Sequence, residues 1–294
     1  MKKDIVTGIG EVLWDMLPEG RKIGGAPANF AFHVAQFGFD SRVVSAVGQD
    51  EPGDEIIAEL AHKRLRTLIE RVPYPTGTVQ VNLSDNGIPV YDIKENVAWD
   101  HIPFTESLRE LASHTRAVCF GSLAQRSATS RHTISRFLET MPDGEDHYKI
   151  FDVNLRQNFY SRETLLHGLT LCNILKINDE ELVTVGRIFG MPEKDMQEQC
   201  RALLATYHLR ILILTCGAHG SYVFTPDHTS FIETPHVEVA DTVGAGDSFT
   251  AAFTASLLSG KSVREAHQTA VRLAAFVCSQ KGAMPVWPEC DAQP

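Results

Sequence analysis

The chain has 294 residues and a formal net charge of −10, with 43% hydrophobic and 22% charged residues. This length suits one large α/β domain or two small ones and allows a large buried core. The acidic balance argues against nucleic acid or an anionic membrane as a partner, but it permits phosphate binding by local backbone amides and a metal ion.

Cysteine usage and the first residues predict a cytoplasmic protein with reduced thiols. The six cysteines are scattered without a Cys-x-x-Cys pair, and Cys119 and Cys278 stand within apolar runs. The first residues lack the continuous apolar stretch of a signal peptide, and no run is long enough to span a bilayer. The twelve histidines show no zinc-ligand spacing, so we do not expect a zinc site.

The first elements in chain order predict a strand–loop–helix opening. Residues 5–12 read as a strand, and residues 22–38 change from a period of two to a helical period. Pro27 follows a pair of glycines and suits the first turn of that helix. A further strand at 41–47 and a helix at 54–63 come next.

A change of pattern then predicts a small sheet that projects from the main body. Residues 78–83 and 89–93 alternate between apolar and polar on either side of Asp85-Asn86-Gly87, which is typical of a β-hairpin. We expect a lid with strands contributed by about 11–22 and 76–100. An ordinary antiparallel edge of the main sheet is the alternative.

After residue 105, short apolar runs alternate with helical stretches. The predicted strands are 117–120, 150–153, 174–177, 211–215 and 222–224, and the helices include 131–141, 196–207 and 263–280. Because these runs are apolar throughout, the strands should be covered on both faces, as in a largely parallel sheet within a three-layer α/β/α sandwich. Ligands of such sheets bind beyond the carboxyl ends of the strands.

A glycine-bearing turn at 239–253 runs directly into a predicted helix. Gly244 and Gly246 permit backbone angles closed to other residues, and Ala245 is small enough for a ligand to approach the main chain. The first N–H groups of a helix lack intrahelical partners, so this terminus is a candidate anion site. Asp247 would repel an anion there unless it acts as a base on a hydroxyl group. The alternative is a plain turn in which Asp247 only stabilises the helix dipole.

Two standard phosphate loops are excluded at this end of the chain. A dinucleotide fingerprint would need a third glycine where Phe249 stands. Gly260-Lys261-Ser262 is similar to the end of a P-loop, but Ala255 occupies the position of its first glycine.

Polar residues and glycines also follow several predicted strands. Asp15 stands among apolar neighbours, which is costly unless its carboxylate has hydroxyl donors such as those of a sugar. Arg156 would emerge at the ligand edge, where its guanidinium suits phosphate oxygens or sugar hydroxyls, or forms a surface salt bridge. Asn178 and Glu181 have the spacing of a capping box, which explains them structurally. A turn with a hydroxyl and two glycines comes at Thr215, Gly217 and Gly220.

The segment 241–247, Asp-Thr-Val-Gly-Ala-Gly-Asp, resembles the signature of the ribokinase-like (PfkB) carbohydrate kinases. The resemblance extends over essentially the whole chain and implies one ribokinase-like domain over residues 1–294, a three-layer sandwich with a small β-sheet lid. It implies Asp247 as the catalytic base. It also implies that the amides of Gly244, Ala245 and Gly246 form the anion hole for the transferred phosphate.

The blocks at 10–18 and 23–31 resemble those of the bacterial fructokinases within this family. The resemblance implies that sugar hydroxyls are bound by Asp15, Gly24, Gly25, Asn29 and Asp247. It also supports a place in the site for the Asp-x-Asn-x-Arg block that ends at Arg156.

The same resemblance implies a nucleotide site and metal sites. The nucleotide would be contacted by Asn178, Thr215, Gly217, Gly220 and Gly246. Glu181 would organise Mg²⁺ through water, since Mg²⁺ prefers oxygen ligands and retains waters. Asp241 and backbone carbonyls would bind K⁺ if the enzyme needs it, and the lid would pair two subunits in a homodimer.

We therefore expect an ATP-dependent sugar kinase that phosphorylates the 6-hydroxyl of D-fructose. The alternatives are a kinase of the same fold for another sugar or sugar acid, such as ribose or 2-keto-3-deoxygluconate, and a non-catalytic sugar-binding regulator.

Overall fold

The computed structural model describes residues 3–17, 20–83, 89–191 and 195–288. Their strands are β1 (Ile5–Ile9), β2 (Leu13–Leu17), β3 (Gly20–Gly24), β4 (Asp40–Gly48), β5 (Arg66–Val72), β6 (Thr78–Leu83), β7 (Pro89–Ile93), β8 (Thr115–Gly121), β9 (Tyr148–Asp152), β10 (Ile174–Asn178), β11 (Ile211–Thr215), β12 (Ser221–Phe224) and β13 (Thr229–Ile232). Their α-helices are α1 (Ala26–Gln36), α2 (Glu51–His62), α3 (Glu106–Ser113), α4 (Ala128–Thr140), α5 (Arg162–Leu171), α6 (Asp179–Phe189), α7 (Met196–Thr206), α8 (Ala245–Leu258) and α9 (Val263–Cys278).

Nine strands form the main sheet in the order β13-β12-β11-β10-β9-β8-β1-β4-β5. The strands from β5 to β11 in this order pair in parallel, whereas β12 and β13 add an antiparallel edge. The largely parallel sheet predicted from the apolar runs is confirmed. The edge strands β5 and β13 were not predicted, because their partly exposed residues lack a continuous apolar run.

Two apolar layers cover the two faces of this sheet. Along β8, Val118 and Phe120 belong to one layer, whereas the alternate residues Ala117 and Cys119 belong to the other. The first layer contains residues of α3 to α7, and the second contains residues of α1, α8 and α9. Since successive side chains of a strand point to opposite faces, the helices lie on both sides, and the three-layer sandwich is confirmed.

A second sheet of four strands has the order β3-β2-β6-β7. It is separate from the main sheet, so the alternative of an ordinary main-sheet edge is wrong. Residues 22–24 pair with β2 as part of β3, and the helix predicted from residue 22 begins at Ala26. β6 and β7 pair as the predicted hairpin, whereas its turn at 85–87 lies outside the described residues.

Over the described ranges, no helix combines the length and the apolar character that crossing a lipid bilayer requires. The cysteines within these ranges are free thiols. Four of them are buried, at Cys119, Cys172, Cys200 and Cys216.

Candidate active site

The carboxyl ends of the parallel strands bring the polar residues of distant segments to one edge of the main sheet. Glu11 follows β1, Arg156 follows β9, Asn178 ends β10 and Thr215 ends β11. Asn178 and Thr215 are direct neighbours in the register of β10 and β11. This edge is where α/β sheets of this kind bind their ligands.

Helix α8 begins at this edge with backbone groups and a buried ammonium group that favour an anion. Its N-cap is Gly244, with φ 80°, and no described side chain caps the helix. The Ala245 N–H donates to the Thr242 carbonyl at 3.3 Å, whereas the next N–H groups of the first turn keep their donor capacity. A Cβ atom added to Gly246 would lie 2.8 Å from the Nζ atom of Lys176, so the lysine ammonium lies directly against this turn. Helix dipole and ammonium group both add positive potential.

Gly244 also fits closely against a loop near the end of the described chain. A Cβ atom added to Gly244 would lie 2.6 Å from the Cβ atom of Ala283. The side chain of Asp241 joins the same two segments, because its Oδ1 atom accepts from the Val243 N–H at 3.0 Å and its Oδ2 atom from the Gly282 N–H at 3.1 Å. These bonds explain Asp241 structurally, and a potassium ligand role for it stays a prediction.

Asp247 lies in the first turn of α8 and is held from the opposite side of the site. Asn29, in the first turn of α1, donates from Nδ2 to Asp247 Oδ2 at 2.8 Å. Burial and the charge of Asp152 raise the pKa of Asp247 to about 6, against the lowering effects of Asn29, Lys176 and Arg156. A carboxylate with this pKa is ionised at neutral pH and still has appreciable affinity for a proton.

Lys176 belongs to a buried polar network beneath the start of α8. Its Nζ atom donates to Asp152 Oδ1 at 3.0 Å, and Thr250 Oγ1 donates to Asp152 Oδ2 at 3.2 Å. Burial lowers the pKa of Lys176, but the charges of Asp152, Glu181 and Asp247 raise it to a net value above the ordinary one. The ammonium group is therefore charged. The sequence signal for it was a lysine within the otherwise apolar run of residues 174–177.

The sugar-binding residues predicted from the sequence lie around the turn between β3 and α1. The Asp15 carboxyl group covers Gly24, where an added Cβ atom would lie 2.3 Å from Asp15 Oδ2. Gly25 has φ 118°, and an added Cβ atom would lie 2.4 Å from the carbonyl oxygen of Glu11. Burial raises the pKa of Asp15 to about 6, whereas Arg156 and Lys22 lower it. Both glycines thus allow close approach of backbone and carboxyl groups.

Arg156 is exposed at the same edge and acts on three carboxyl groups. Its positive charge lowers the pKa of Glu11, Asp15 and Asp247. The guanidinium group donates to the Leu155 carbonyl at 3.0 Å. The structure therefore brings Arg156 together with Asp15 and Asp247, which the sequence singled out.

Glu181 holds the loop that carries Arg156. Its Oε1 atom accepts from the Leu155 N–H at 2.9 Å, and its Oε2 atom accepts from the Asn178 N–H at 3.0 Å. Asn178 Oδ1 accepts from the Glu181 N–H at 2.8 Å, which completes the predicted capping box. Both residues thus have a structural role.

The described residues include no group of three or more His, Cys, Asp or Glu side chains arranged to hold a metal ion. A site for Mg²⁺ at Glu181 therefore fits only as one carboxylate supplemented by nucleotide oxygens and water, which is a coordination that Mg²⁺ accepts.

The two glycines after β11 form a tight hairpin to β12. Gly217 and Gly220 have φ values of 51° and 107°, and the Cys216 N–H donates to the Gly220 carbonyl at 2.9 Å. A Cβ atom added to Gly220 would lie 2.6 Å from the Ile232 carbonyl oxygen. The hairpin explains both glycines and leaves the half-exposed Thr215 beside Asn178 at the site edge. Nucleotide contacts by these residues stay a prediction.

Comparison with known proteins identifies relatives of the whole chain. Residues 19–290 match the model of the pfkB family carbohydrate kinases. A fructokinase of Salmonella typhimurium is 30% identical over 85% of this chain and 83% of its own length. An ATP-dependent 6-phosphofructokinase of Thermoanaerobacterium thermosaccharolyticum is 26% identical over 99% of this chain and 92% of its own length.

A solved structure with the same fold supports this relationship. The structure of a sugar kinase of Pyrococcus horikoshii in complex with ATP has a TM-score of 0.81 and 25% sequence identity, and the match covers 98% of this chain and 96% of that chain. The family match, the ribokinase-like fold and the glycine turn at α8 agree, and the chain belongs to the pfkB family of carbohydrate kinases.

Proposed function

We propose that the protein is a fructokinase that transfers the γ-phosphoryl group of ATP to the 6-hydroxyl of D-fructose. The observation that carries this proposal is the contact between Asn29 and Asp247 at 2.8 Å. It joins the turn around Gly24 and Gly25, which we assign to the sugar, to the helix start that we assign to the phosphoryl group. Asp247 then faces both substrates.

In the proposed mechanism Asp247 orients the primary hydroxyl and accepts its proton as the bond to phosphorus forms and the bond to ADP breaks. The N–H groups of Gly244, Ala245 and Gly246 stabilise the negative charge on the transferred phosphoryl group. Lys176 adds a fixed positive charge beneath this turn, and Arg156 adds another at its open side. Since these groups are already in place, little reorganisation is needed during transfer.

We assign the nucleotide to the edge formed by Asn178, Thr215, Gly217, Gly220 and Gly246. Glu181 would hold Mg²⁺ through water while ATP oxygens supply further ligands. Bound there, Mg²⁺ would neutralise phosphate charge. The Pyrococcus horikoshii relative with ATP bound supports the choice of nucleotide.

Charge favours a neutral sugar over a phosphorylated one. Asp15 and Asp247 lie at the end of the site that we assign to the sugar, and their carboxyl oxygens suit the hydroxyl donors of a polyol. A second phosphate on the substrate would meet the same carboxyl groups. The fructokinase of Salmonella typhimurium, at 30% identity, supports fructose as that sugar.

The test is ADP production with fructose, glucose, ribose, adenosine, 2-keto-3-deoxygluconate and fructose 6-phosphate, each with and without K⁺. We expect the highest kcat/KM with fructose. If ribose, the sugar acid or fructose 6-phosphate gave a higher kcat/KM, that compound and not fructose would be identified as the substrate. An effect of K⁺ would support the cation site predicted at Asp241.

A further inference from the structure

Glu11 is a buried carboxyl group of the site that sequence reasoning did not single out. It lies two residues after the end of β1 and is 2% exposed. Within the described ranges, its Oε2 atom is buried without a hydrogen-bond partner. An unpartnered buried carboxyl oxygen is costly, so its retention calls for a function.

The carboxyl group of Glu11 holds the start of α1. It accepts from the backbone N–H groups of Glu11 and Ala26, and Ala26 is the first residue of that helix. The N-cap residue Gly25 offers no side-chain cap of its own. Glu11 therefore replaces the missing cap.

The turn that Glu11 holds is also the turn that holds the proposed base. Asn29 follows Ala26 by three residues and donates to Asp247 at 2.8 Å. Gly25 packs against the carbonyl oxygen of Glu11, so backbone and side chain of Glu11 both set the position of this turn. A shift of Glu11 would reach Asp247 through Asn29.

Glu11 and Asp247 also interact through their charges. Burial raises the pKa of Glu11 to about 7, and the charge of Asp247 adds to this rise. The backbone N–H groups of Glu11 and Ala26 and the charge of Arg156 act in the lowering direction. Cys119 on β8 also faces Glu11, and its thiol has a pKa well above the usual range because of burial.

We propose that Glu11 is a positioning residue for the phosphoryl-transfer base, which it holds through α1 and Asn29. The inference rests on the proposed role of Asp247. Because the pKa of Glu11 lies above that of Asp247, the charge of Asp247 is present while Glu11 titrates, and its removal should lower the pKa of Glu11.

The first test compares Glu11→Gln with Glu11→Ala. Glutamine keeps the size of the side chain and an oxygen acceptor for Ala26, so it should retain most of the wild-type kcat. Alanine removes the cap, so kcat should fall by about tenfold or more. Glu265→Gln is the matched control, because Glu265 holds the start of α9 through Ser262, away from the site. Its kcat should equal that of the wild type.

The second test does not depend on turnover. The side-chain carboxyl of Glu11 is titrated by ¹³C NMR in the wild type and in Asp247→Asn. The pKa of Glu11 should fall in the variant, because a charge that opposes its ionisation has been removed.

The outcomes separate this inference from the proposed function. Near-normal turnover of Asp247→Asn would overturn the proposed base. An inactive Asp247→Asn together with an unchanged Glu11 titration and a wild-type kcat of Glu11→Ala would overturn the role of Glu11 alone.

Discussion

Three carboxyl groups of the candidate site lie in surroundings that disfavour their charge. Burial is the largest cause in each case, and the resulting pKa values are about 6 for Asp15, about 6 for Asp247 and about 7 for Glu11. A higher pKa makes Asp247 a better proton acceptor near neutral pH. The same burial means that the ionised form destabilises the folded chain.

Asp247→Asn should abolish most of the activity and leave binding largely intact. Asparagine keeps the size of the side chain but cannot accept the hydroxyl proton, so kcat should fall by at least about a hundredfold. Steady-state kinetics measure the change in kcat, and calorimetric titration measures the affinities for sugar and ATP. A variant with near-normal turnover would remove Asp247 from the mechanism.

The same variant should be more stable than the wild type at neutral pH. Because the pKa of Asp247 rises from its ordinary value of 3.8 to about 6 on folding, the folded state binds this proton more tightly than the unfolded state. This contribution to stability is fully present below about pH 4 and is lost as the pH rises through about 6. Calorimetry should therefore show a higher Tm for Asp247→Asn at pH 7 to 8. The difference between variant and wild type should shrink below pH 5, and a constant difference would contradict the linkage.

At the scale of elements, α1 connects the sugar side of the site to the loop behind the anion-binding turn. Near its start Asn29 holds Asp247, and near its end His33 Nε2 donates to the Ala283 carbonyl at 2.8 Å. Gln36 Oε1 accepts from the Trp287 N–H at 2.7 Å. Burial lowers the pKa of His33 to about 4, so its ring is neutral at physiological pH.

His33→Ala should weaken the nucleotide side of the site more than the sugar side. Loss of the bond to Ala283 releases the loop that packs against Gly244, where we place the phosphoryl group. We expect the KM for ATP to rise several-fold, by about 1 kcal/mol or more in binding free energy, as for one lost hydrogen bond. His62→Ala, at the exposed end of α2, is the control. An equal rise in the KM for ATP and the KM for the sugar would indicate that the substitution loosens the whole site.

Replacement of Glu181, at the start of α6, should affect both the stability of the protein and its requirement for Mg²⁺. Glu181→Ala leaves the N–H groups of Leu155 and Asn178 without their acceptor, so the Tm should fall. If Glu181 also holds Mg²⁺ through water, half-maximal activity should require more Mg²⁺. Titration of activity with Mg²⁺ measures this. An unchanged Mg²⁺ dependence with a lowered Tm would restrict Glu181 to its structural role.

At the scale of the whole molecule, the residues that we assign to the phosphoryl group and the nucleotide lie at the edge of the nine-stranded sheet, whereas Asp15 lies on the separate four-stranded sheet. The sugar is therefore expected between the two sheets, where closure excludes water. Pairing of two subunits through the four-stranded sheet stays a prediction, which light scattering of the purified protein tests.

Sugar binding should stabilise the molecule and should be accompanied by ADP release when ATP is present. At a fructose concentration about 100 times its Kd, the free energy of unfolding rises by about 2.7 kcal/mol. For a chain of this size the Tm should rise by a few degrees. Thermal unfolding with and without fructose measures the change. Stabilisation without ADP release would favour the non-catalytic sugar-binding regulator.

Local patterns in the sequence were sufficient to predict the layered fold and the glycine turn at Gly244. Alternating or continuous apolar runs report burial on one or both faces of a strand, and glycine spacing reports a turn, so both are visible without knowledge of distant contacts. Asp247, Asn29 and Arg156 were predicted in this way, and the resemblance to known kinases added their roles. The edge strands β5 and β13 were missed because partial exposure removes the apolar signal.

Only the tertiary structure revealed the roles of Glu11 and Lys176 and the contact of Gly244 with Ala283. Nothing near Glu11 in the chain indicates that it caps α1, since that role depends on how β1 and α1 pack. Lys176 is charged in a buried strand only because Asp152 and Asp247 lie beside it. The free energy of a buried charge depends on its neighbours in space, which the order of residues along the chain does not specify.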